Sequence, residues 1–296
     1  MKLHIKHLVV IGTGLIGGSL ALALRQAGAV ERVTGVGRSR ENLETAQRLG
    51  IIDGWSHDVA SAVADADMVL MAVPMGAYAG VLEAMADSLP AKAIVTDAGS
   101  TKQSAIDAVA GSRVNTRRFV PAHPIAGTEA SGAEAAFAEL FQNRLCVITP
   151  DEHTDRDALV MVEQMWKLAG AQLKTMSATE HDEVLAAVSH LPHLAAFALV
   201  NTVRNSAGSG AKHDPFEFAA GGFRDFTRIA SSSPEMWRDI ALNNRQSMLE
   251  MLDAFQAELS RLQDALAEGD GERLLDAFVA AKSARDAWLA KYGGDL

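Results

Sequence analysis

The chain has 296 residues, of which 48% are hydrophobic and 22% are charged, the balance of a globular protein with a sizeable core. Its 27 Lys and Arg residues against 37 Asp and Glu residues give a formal net charge of -10. This acidity argues against nucleic acid or an anionic membrane as the main partner.

Export is not expected either. Cys146 is the only cysteine, so the chain cannot form an internal disulfide, which fits a reducing compartment such as the cytoplasm. The apolar run at the N-terminus is short, contains glycines and lacks a small-residue cleavage site. No stretch approaches the roughly 18 consecutive apolar residues of a membrane span. The sequence therefore predicts a cytoplasmic protein with no membrane partner.

The first half of the chain alternates between strand and helix patterns. Six short runs are rich in β-branched residues and bounded by Gly, Pro or Asp, which predicts buried strands at residues 7–12, 32–37, 67–74, 93–99, 118–124 and 145–150. Helical patterns lie between them, at residues 18–27, 40–49 and 77–89. This βαβ alternation predicts an α/β Rossmann-type, doubly wound, mostly parallel sheet with helices on both faces.

After about residue 174 the pattern becomes helical. A long helix is predicted from 178 to about 204, followed by a loop rich in Gly and Ser at 205–215. A second helix should start near Ser232–Pro234, with a serine cap and a proline in its first turn. Residues 268–271 end that helix, and a last one runs from about 272 to 292. We therefore expect a dinucleotide-binding domain at 1–174 and an all-α domain at 175–296.

One face of the second C-terminal helix is apolar. Its apolar positions step by three and four residues: Met248, Met251, Leu252, Phe255, Leu259, Leu262 and Leu266. A helical half with so much apolar surface predicts a homodimer formed through these helices. The alternative, that the face packs only within its own domain, stays open at this point.

A glycine motif follows the first predicted strand. It reads Gly12-Thr13-Gly14-Leu15-Ile16-Gly17. Glycines at these three positions allow a tight turn, a close approach of the backbone to a pyrophosphate, and close packing of helix on strand. The helix N-terminus adds free N–H groups and partial positive charge. Because the motif opens a βαβ unit, it predicts a dinucleotide site.

The end of the second strand bears on the choice of cofactor. NAD-binding units usually place an acidic residue there for the ribose 2′-hydroxyl, but this chain has Arg38, Ser39 and Arg40 after Gly37. Because guanidinium groups pair well with phosphate, NADP is the expected cofactor and NAD the less favoured one. The alternative is that these arginines merely begin a solvated helix.

Polar residues also follow three predicted strands, where a Rossmann fold places its reacting atoms. The strand ending in Val73 and Pro74 supplies a turn beside the cofactor. "TDAGSTK" supplies Asp97, Ser100 and Lys102, and "HPIAGTE" supplies His123, Thr128 and Glu129. Asp97 is interpreted as a helix cap and Lys102 as a solvated helix residue. From its position alone, His123 could be a packed core residue, a metal ligand or a proton acceptor.

The helical half carries two further polar motifs. "SHLPH" places Ser189 and His193 one turn apart on a helix that Pro192 interrupts. A later segment, "GGFRDFTRIASSSPEMWRDI", carries Asp225 and Arg228. The remaining histidines are interpreted as core or surface residues: His4, His7, His57, His153, His181 and His213. Because no cluster has metal-ligand spacing, no metal is expected.

Taken together, these motifs resemble the prephenate/arogenate dehydrogenase family of tyrosine biosynthesis. "GTGLIGGS", "DAGSTK", "HPIAGTEASG", "SHLPH" and the segment containing Arg228 occur in the order typical of that family, over nearly the whole chain. The resemblance implies a nucleotide-binding domain, a helical dimerisation domain and an active site between them. It implies oxidative decarboxylation of prephenate or arogenate to 4-hydroxyphenylpyruvate or tyrosine. No chorismate mutase or regulatory domain is expected.

The resemblance also assigns roles to residues. His123 would accept the proton of the C4 hydroxyl, with Ser100 orienting that hydroxyl or the imidazole. Arg228 would bind a substrate carboxylate. Other substrate contacts would come from Ser189, His193, Thr128, Glu129 and Asp225, while His190 faces another side of its helix. Glu129 and Asp225 could form an ion-pair gate with Arg228 or could simply be surface charges.

Two other functions share some of these features. A β-hydroxyacid dehydrogenase would share the Rossmann start and helical half, but it would use a catalytic lysine where this chain has "SHLPH". An NADP-binding redox sensor would have no need of His123 and Arg228 together at the cofactor. The residue that discriminates prephenate from arogenate cannot be placed from the sequence, and feedback inhibition by tyrosine is likewise undecided.

Overall fold

A six-stranded parallel sheet forms the centre of the computed structural model, which describes residues 3–128, 130–206 and 213–293. Its strands are β1 (Ile5–Ile11), β2 (Val30–Val36), β3 (Gly54–Ser56), β4 (Met68–Met71), β5 (Ile94–Asp97) and β6 (Phe119–Val120). They lie in the order β3-β2-β1-β4-β5-β6, with every neighbouring pair parallel. The predicted Rossmann-type sheet is confirmed, and the short strand β3 adds to it.

Helices cover both faces of this sheet. They are α1 (Leu15–Gln26), α2 (Arg40–Arg48), α3 (Val59–Val63), α4 (Tyr78–Met85), α5 (Gln103–Ala110) and α6 (Arg156–Leu168). Along β1, Leu8 and Val10 belong to the core that includes α1 and α6, whereas Val9 and Ile11 belong to the core with α3, α4 and α5. Burial on both faces explains why these strands are almost continuously apolar. The strand order reverses between β1 and β4, which opens a crevice at their carboxyl ends.

A second, three-stranded sheet carries His123. Strand β7 (Ala122–Pro124) is antiparallel to β8 (Leu145–Ile148), which is parallel to β9 (Gln172–Thr175). The prediction of one strand over residues 118–124 is therefore wrong, since β6 and β7 belong to different sheets. The backbone N–H of Ala122, directly after Pro121, donates to a carboxylate oxygen of Asp97 at 3.0 Å rather than to a strand. Strand β9 is mostly polar and exposed, so it had no apolar pattern to detect.

A long helical stretch begins the C-terminal part. It comprises α7 (Ala178–Leu185), a π-helical turn (Ala186–His190) and α8 (Leu191–Ser206), close to the predicted helix. Pro192 has no backbone N–H to donate, which accounts for a wider turn just before it. Single π turns often lie at functional sites.

The stretch 178–206 is long enough and apolar enough to cross a membrane, judged by length and composition alone. Its most apolar 18-residue window has a mean hydropathy of 1.5. No run of about 18 consecutive apolar residues is present in it, because histidine and serine interrupt the apolar residues, but these residues do not lower the mean hydropathy enough to exclude the segment. Composition alone is weak support for a span. His181, Asp182 and His190 are buried on this helix and make polar contacts within the protein.

Four more helices complete the described chain: α9 (Gly221–Thr227), α10 (Pro234–Asn243), α11 (Arg245–Glu268) and α12 (Gly271–Tyr292). As predicted, α10 has Pro234 in its first turn and the Ser233 side chain as its cap. The predicted single helix is, however, divided at Asn244, whose side chain is buried and bonded to other elements. Most of the predicted loop at 205–215, residues 207–212, lies outside the described residues.

By proximity of Cα atoms the chain forms two compact units, residues 1–245 and residues 246–296. All the site residues discussed below belong to the first unit. The domain boundary expected at 174/175 stays a prediction.

Candidate active site

The turn between β1 and α1 is shaped by its glycines. Gly12 has φ of +100°, and a Cβ atom there would lie 2.2 Å from the carbonyl oxygen of Ala72. A Cβ atom at Gly17 would lie 2.2 Å from the carbonyl oxygen of Gly12, so both positions require glycine. Thr13 is buried, and Nδ2 of Asn42 donates to its carbonyl and hydroxyl oxygens at 3.2 and 3.1 Å. The N-terminus of α1 therefore follows a rigid turn.

A cleft of about 430 Å³, called here the nucleotide cleft, is lined by residues that follow β1, β4 and β5. Six predicted cofactor residues line it: Gly14, Leu15, Ile16, Val73, Pro74 and Ser100. A Cβ atom at Gly14 would find only the Gly132 nitrogen, at 4.0 Å, so the backbone here is open to approach. Gly12, Thr13 and Gly17 shape the turn instead. A helix N-terminus, open glycine backbone and apolar side chains fit a dinucleotide.

The three residues expected to select NADP lie after β2 and are not among the lining residues of the nucleotide cleft. Arg38 is exposed. The Ser39 hydroxyl accepts from the backbone N–H of Asn42 at 3.2 Å and so caps α2. Arg40 donates from Nε to Glu44 at 2.7 Å, and its guanidinium lies 5.9 Å from the ring centre of Trp55. Ser39 is thus already engaged as a cap, while two guanidinium groups flank it.

A second cavity of about 590 Å³, called here the His–Arg cavity, contains most of the predicted substrate residues. His123, Thr128, Ser189, His193 and Arg228 all line it. Residues that were not predicted also contribute, among them Phe137, Glu139, Gln142, Arg144 and Trp237. The cavity therefore combines an imidazole, two guanidinium groups and aromatic rings, which suits an anionic ring compound.

The two cavities meet at one loop. His123, Pro124, Ala126, Gly127 and Thr128 line both the nucleotide cleft and the His–Arg cavity. The His123 imidazole is therefore accessible from both cavities.

His123 heads a chain of buried polar contacts. Its Nδ1 lies 2.8 Å from Nε2 of His181, and Nδ1 of His181 lies 2.7 Å from Oδ1 of Asp182. The Asp182 carboxylate also accepts the backbone N–H groups of Lys102 and Gln103, at 2.8 and 3.0 Å. These contacts therefore link His123, in the loop shared by the two cavities, to the start of α5.

Burial lowers the pKa of His123 well below its usual value, and the neighbouring His181, Lys102 and His190 lower it further. The ring is neutral near pH 7 and can accept a proton. Burial likewise lowers the pKa of His190 to about 4, against the opposing effect of Asp182.

His193 and Trp237 form a stacked pair on the wall of the His–Arg cavity. Their ring centres are 3.6 Å apart with planes inclined by 22°. Nδ1 of His193 donates to the carbonyl oxygen of Ser189 at 2.9 Å, which leaves Nε2 as the acceptor of the neutral ring. Burial lowers the pKa of His193, and this hydrogen bond offsets part of the effect.

A buried ion pair lies directly behind His123. Nζ of Lys102 lies 2.5 Å from Oδ2 of Asp97, with both side chains fully buried, and it also donates to the carbonyl oxygen of Ala122 at 2.8 Å. The Tyr78 hydroxyl donates to the same carboxylate at 2.7 Å, and burial beside Asp97 raises the Tyr78 pKa well above its usual value. The interpretation of Asp97 as a helix cap and of Lys102 as a solvated residue is therefore wrong. Both fix the backbone that precedes His123.

Comparison with known proteins identifies the family. The model described as "Prephenate dehydrogenase, nucleotide-binding domain" matches residues 20–175, and that described as "Prephenate dehydrogenase, dimerization domain" matches residues 177–280. The chain belongs to the prephenate dehydrogenase family.

Individual relatives of the prephenate dehydrogenase family agree with this assignment. The chain is 39% identical to a cyclohexadienyl dehydrogenase of Zymomonas mobilis over 280 residues, covering 95% of each protein. It is 38% identical to a prephenate dehydrogenase of Bacillus subtilis, covering 94% of this chain and 75% of that one. Among solved structures, the prephenate dehydrogenase of Aquifex aeolicus in complex with hydroxyphenyl propionate and NAD+ has a TM-score of 0.88 and 34% identity, covering 97% and 99% of the two chains.

The gate that the family resemblance suggested is only partly described. Arg228 lines the His–Arg cavity, whereas Asp225 is exposed, pairs with Arg224 at 3.3 Å and lines neither cavity. Glu129 lies outside the described residues. The gate therefore stays a prediction.

In the part of the chain that the structure describes, no group of three or more His, Cys, Asp or Glu side chains could hold a metal ion.

His181 and Asp182 were missed because each looked ordinary by itself. A signal was nevertheless present, since Ala178, Leu185 and Ala186 mark the buried face of the helix, and His181 and Asp182 fall on that face at helical spacing. Two adjacent polar residues on a buried face require partners there. Arg144 offered no comparable signal, because it reaches the His–Arg cavity only through the second sheet.

Proposed function

We propose that this chain catalyses NAD(P)-dependent oxidative decarboxylation of prephenate or arogenate, giving 4-hydroxyphenylpyruvate or tyrosine. The observation that carries this proposal is that His123 lines both the nucleotide cleft and the His–Arg cavity. A base between the two cavities is what the reaction requires, because C4 of the ring must lose a hydride and its hydroxyl must lose a proton together. Membership of the prephenate dehydrogenase family supports the same reaction.

The nucleotide cleft would hold the cofactor through Gly14, the N-terminus of α1, and the apolar side chains of Leu15, Ile16 and Val73. When bound, the nicotinamide accepts the hydride from C4 of the substrate. Ser100 lines the same cleft and would orient the C4 hydroxyl or the imidazole. His123 accepts the hydroxyl proton, with neutrality near pH 7 provided by its burial. Loss of carbon dioxide from C1 then makes the ring aromatic and drives the reaction forward.

Substrate binding is assigned to cations and aromatic rings of the His–Arg cavity. Arg228 would bind one carboxylate, and Arg144 lies on the same cavity for the carboxylate of the side chain. A guanidinium fork pairs well with a carboxylate, which matters in a protein of net charge -10. Ser189, Thr128 and the stacked His193–Trp237 pair would shape the space around the ring. Glu129 and Asp225 are retained as candidate gate residues.

NADP is the proposed cofactor, with NAD second. The support is the absence of an acidic residue at Val36–Gly37, where β2 ends, and the presence of Arg38 and Arg40 directly after it. An acidic side chain there would repel a 2′-phosphate, whereas guanidinium groups attract it.

A homodimer is proposed for the assembly, and the cytoplasm for its location. On α11 and α12 the large apolar side chains of Leu259, Leu266, Leu275, Phe278 and Val279 are about half or more exposed. Apolar surface of this kind marks an interaction site. The matched family description, a dimerization domain over 177–280, supports a second copy as the partner.

The direct test is turnover by the purified protein of prephenate and arogenate, each with NADP and with NAD. Formation of reduced nicotinamide in a one-to-one ratio with carbon dioxide is expected, with a higher kcat/KM for NADP. Absence of turnover in all four combinations would overturn the proposed function. A higher kcat/KM with NAD would overturn the cofactor assignment alone.

A further inference from the structure

The hydrogen bonds that link His123, His181 and Asp182 have a donor-to-acceptor order that follows from the chemistry of the groups. A carboxylate can only accept a hydrogen bond, so the proton between Asp182 and His181 belongs to Nδ1 of His181. In the tautomer with its proton on Nδ1, Nε2 of His181 accepts the Nδ1 proton of His123. This leaves Nε2 of His123 unprotonated. That nitrogen is the atom a base needs.

We propose that Asp182 and His181 are positioning residues that act through His123, fixing its base-competent tautomer and sharing the proton that it takes from the substrate. This inference rests on the proposed function, because it assigns His123, His181 and Asp182, called here the relay, to the same reaction. After proton uptake at Nε2 of His123, its Nδ1 proton shifts toward Nε2 of His181 and the Nδ1 proton of His181 toward Asp182. No bond to carbon changes, and the positive charge is spread toward a carboxylate.

The carboxylate end of this relay is firmly held. Asp182 accepts the backbone N–H groups of Lys102 and Gln103 at the start of α5, and Nδ2 of Asn244 donates to its carbonyl oxygen at 2.8 Å. The first two bonds hold the carboxylate in place beside His181, and the bond from Asn244 holds the backbone of Asp182. Because Ser100, two residues before Lys102, lines the nucleotide cleft, the relay is also anchored to the segment beside the cofactor.

Charges around His123 make such a carboxylate necessary. His181, Lys102 and His190 each disfavour an imidazolium at position 123, as does burial. Lys102 is paired with Asp97, which leaves Asp182 as the carboxylate in line with the imidazole. Without Asp182, a protonated His123 would be a buried charge that is not linked by hydrogen bonds to a carboxylate.

The variant Asp182→Asn tests the tautomer. Asn has one acceptor oxygen where Asp182 has two. With Nδ2 toward His181 it would donate to Nδ1 of His181, place the proton of His181 on Nε2 and turn Nε2 of His123 into a donor. With its oxygen toward His181 it would keep the tautomer but remove the negative charge that stabilises the protonated pair. We expect kcat to fall by about 10²- to 10⁴-fold, as for loss of a base, with the dissociation constant of the cofactor unchanged within about threefold. The midpoint of the acid limb of the kcat/KM profile should also move to lower pH, because removing a nearby negative charge lowers the pKa of His123.

His181→Gln is the second variant and separates positioning from packing. A glutamine can accept from His123 and donate to Asp182, so it preserves the tautomer but cannot take up a proton. Its kcat should lie between those of the wild type and Asp182→Asn. The matched control is His7→Gln at the start of β1, where His7 is buried and lies 2.9 Å from Asp65. That variant loses a His–Asp contact near the amino end of the central strand β1, and His7 lines neither cavity, so its kcat should match the wild type.

The outcomes are separable. Wild-type kcat and an unmoved acid limb in a folded Asp182→Asn protein would overturn the inference. If that protein does not bind cofactor, His181→Gln decides, and wild-type kcat with a wild-type solvent isotope effect would overturn proton sharing. Failure of the wild type to turn over either substrate would instead overturn the proposed function.

Discussion

Nδ1 of His123 lies 2.8 Å from Nε2 of His181, and the two rings meet edge to face with their centres 5.1 Å apart. The contact joins a strand of the second sheet to the helical part of the chain. It places the candidate base under the control of a residue 58 positions away in the sequence, and both are buried.

Stability should fall at acid pH because His190 is neutral in the folded state. Burial lowers its pKa to about 4, whereas an unfolded histidine titrates near 6.5. Below about pH 6.5 the unfolded chain therefore takes up a proton that the folded chain does not, and stability is lost as the pH falls toward 4. In urea unfolding at several pH values, His190→Gln should reduce this slope by up to about 1.4 kcal/mol per pH unit. Exposed His153→Gln is the control and should leave the slope unchanged.

Removing one member of the buried Lys102–Asp97 ion pair should strongly lower the free energy of unfolding. Lys102→Met would leave Asp97 buried without its cation, at a cost of about 3–5 kcal/mol in the free energy of unfolding. Lys167→Met, in an exposed pair with Glu163, should cost about 1 kcal/mol or less. Denaturant titration of both variants measures the difference. Equal stabilities would show that the Lys102–Asp97 pair does not support the fold.

Arg228→Gln should mainly weaken substrate binding. A charge-assisted hydrogen bond contributes about 1.5–3 kcal/mol, so KM for the substrate should rise by about 10- to 100-fold while kcat changes little. The control is Arg224→Gln on α9, an exposed residue that pairs with Asp225 and lines neither cavity. Steady-state kinetics at saturating cofactor separate KM from kcat. A large fall in kcat with unchanged KM would contradict the assigned role.

Arg38→Asp should change the choice of cofactor. The added carboxylate repels a 2′-phosphate but can accept from a ribose hydroxyl, so the dissociation constant should rise more for NADP than for NAD. Arg48→Asp makes the same charge change at the far end of α2 and serves as the control. Titration of protein fluorescence with each cofactor gives the two ratios. Equal weakening for both cofactors by Arg38→Asp would argue against a phosphate contact.

The sheet was predictable because its signal is local. Apolar runs such as β1 and β4 are buried on both faces. The glycine turn after β1 is required because a Cβ atom at Gly12 or Gly17 would clash with backbone carbonyl oxygens. The motifs around His123, Ser189 and Arg228 are also short and local, and they were recognised by their resemblance to the motifs of the prephenate/arogenate dehydrogenase family. All three residues line the His–Arg cavity.

What escaped prediction depends on contacts between distant segments. Lys102 was interpreted as solvated, but in the structure it is fully buried near β5 and β7. Asn244 was expected inside a continuous helix, but its side-chain amide contacts Asp182 and His190. His181 differs from an ordinary core histidine through its contacts with His123 and Asp182. Such side chains are defined by tertiary neighbours, so their own sequence surroundings carry little of the information.

The most direct test of the central claim is the rate of hydride transfer in His123→Asn, followed as reduced nicotinamide in a single turnover with saturating substrate and cofactor. Loss of the base should slow this step by about 10²- to 10⁴-fold, with the dissociation constant of the cofactor retained. A single-turnover rate close to that of the wild type would contradict the role of His123 as the base between the two cavities.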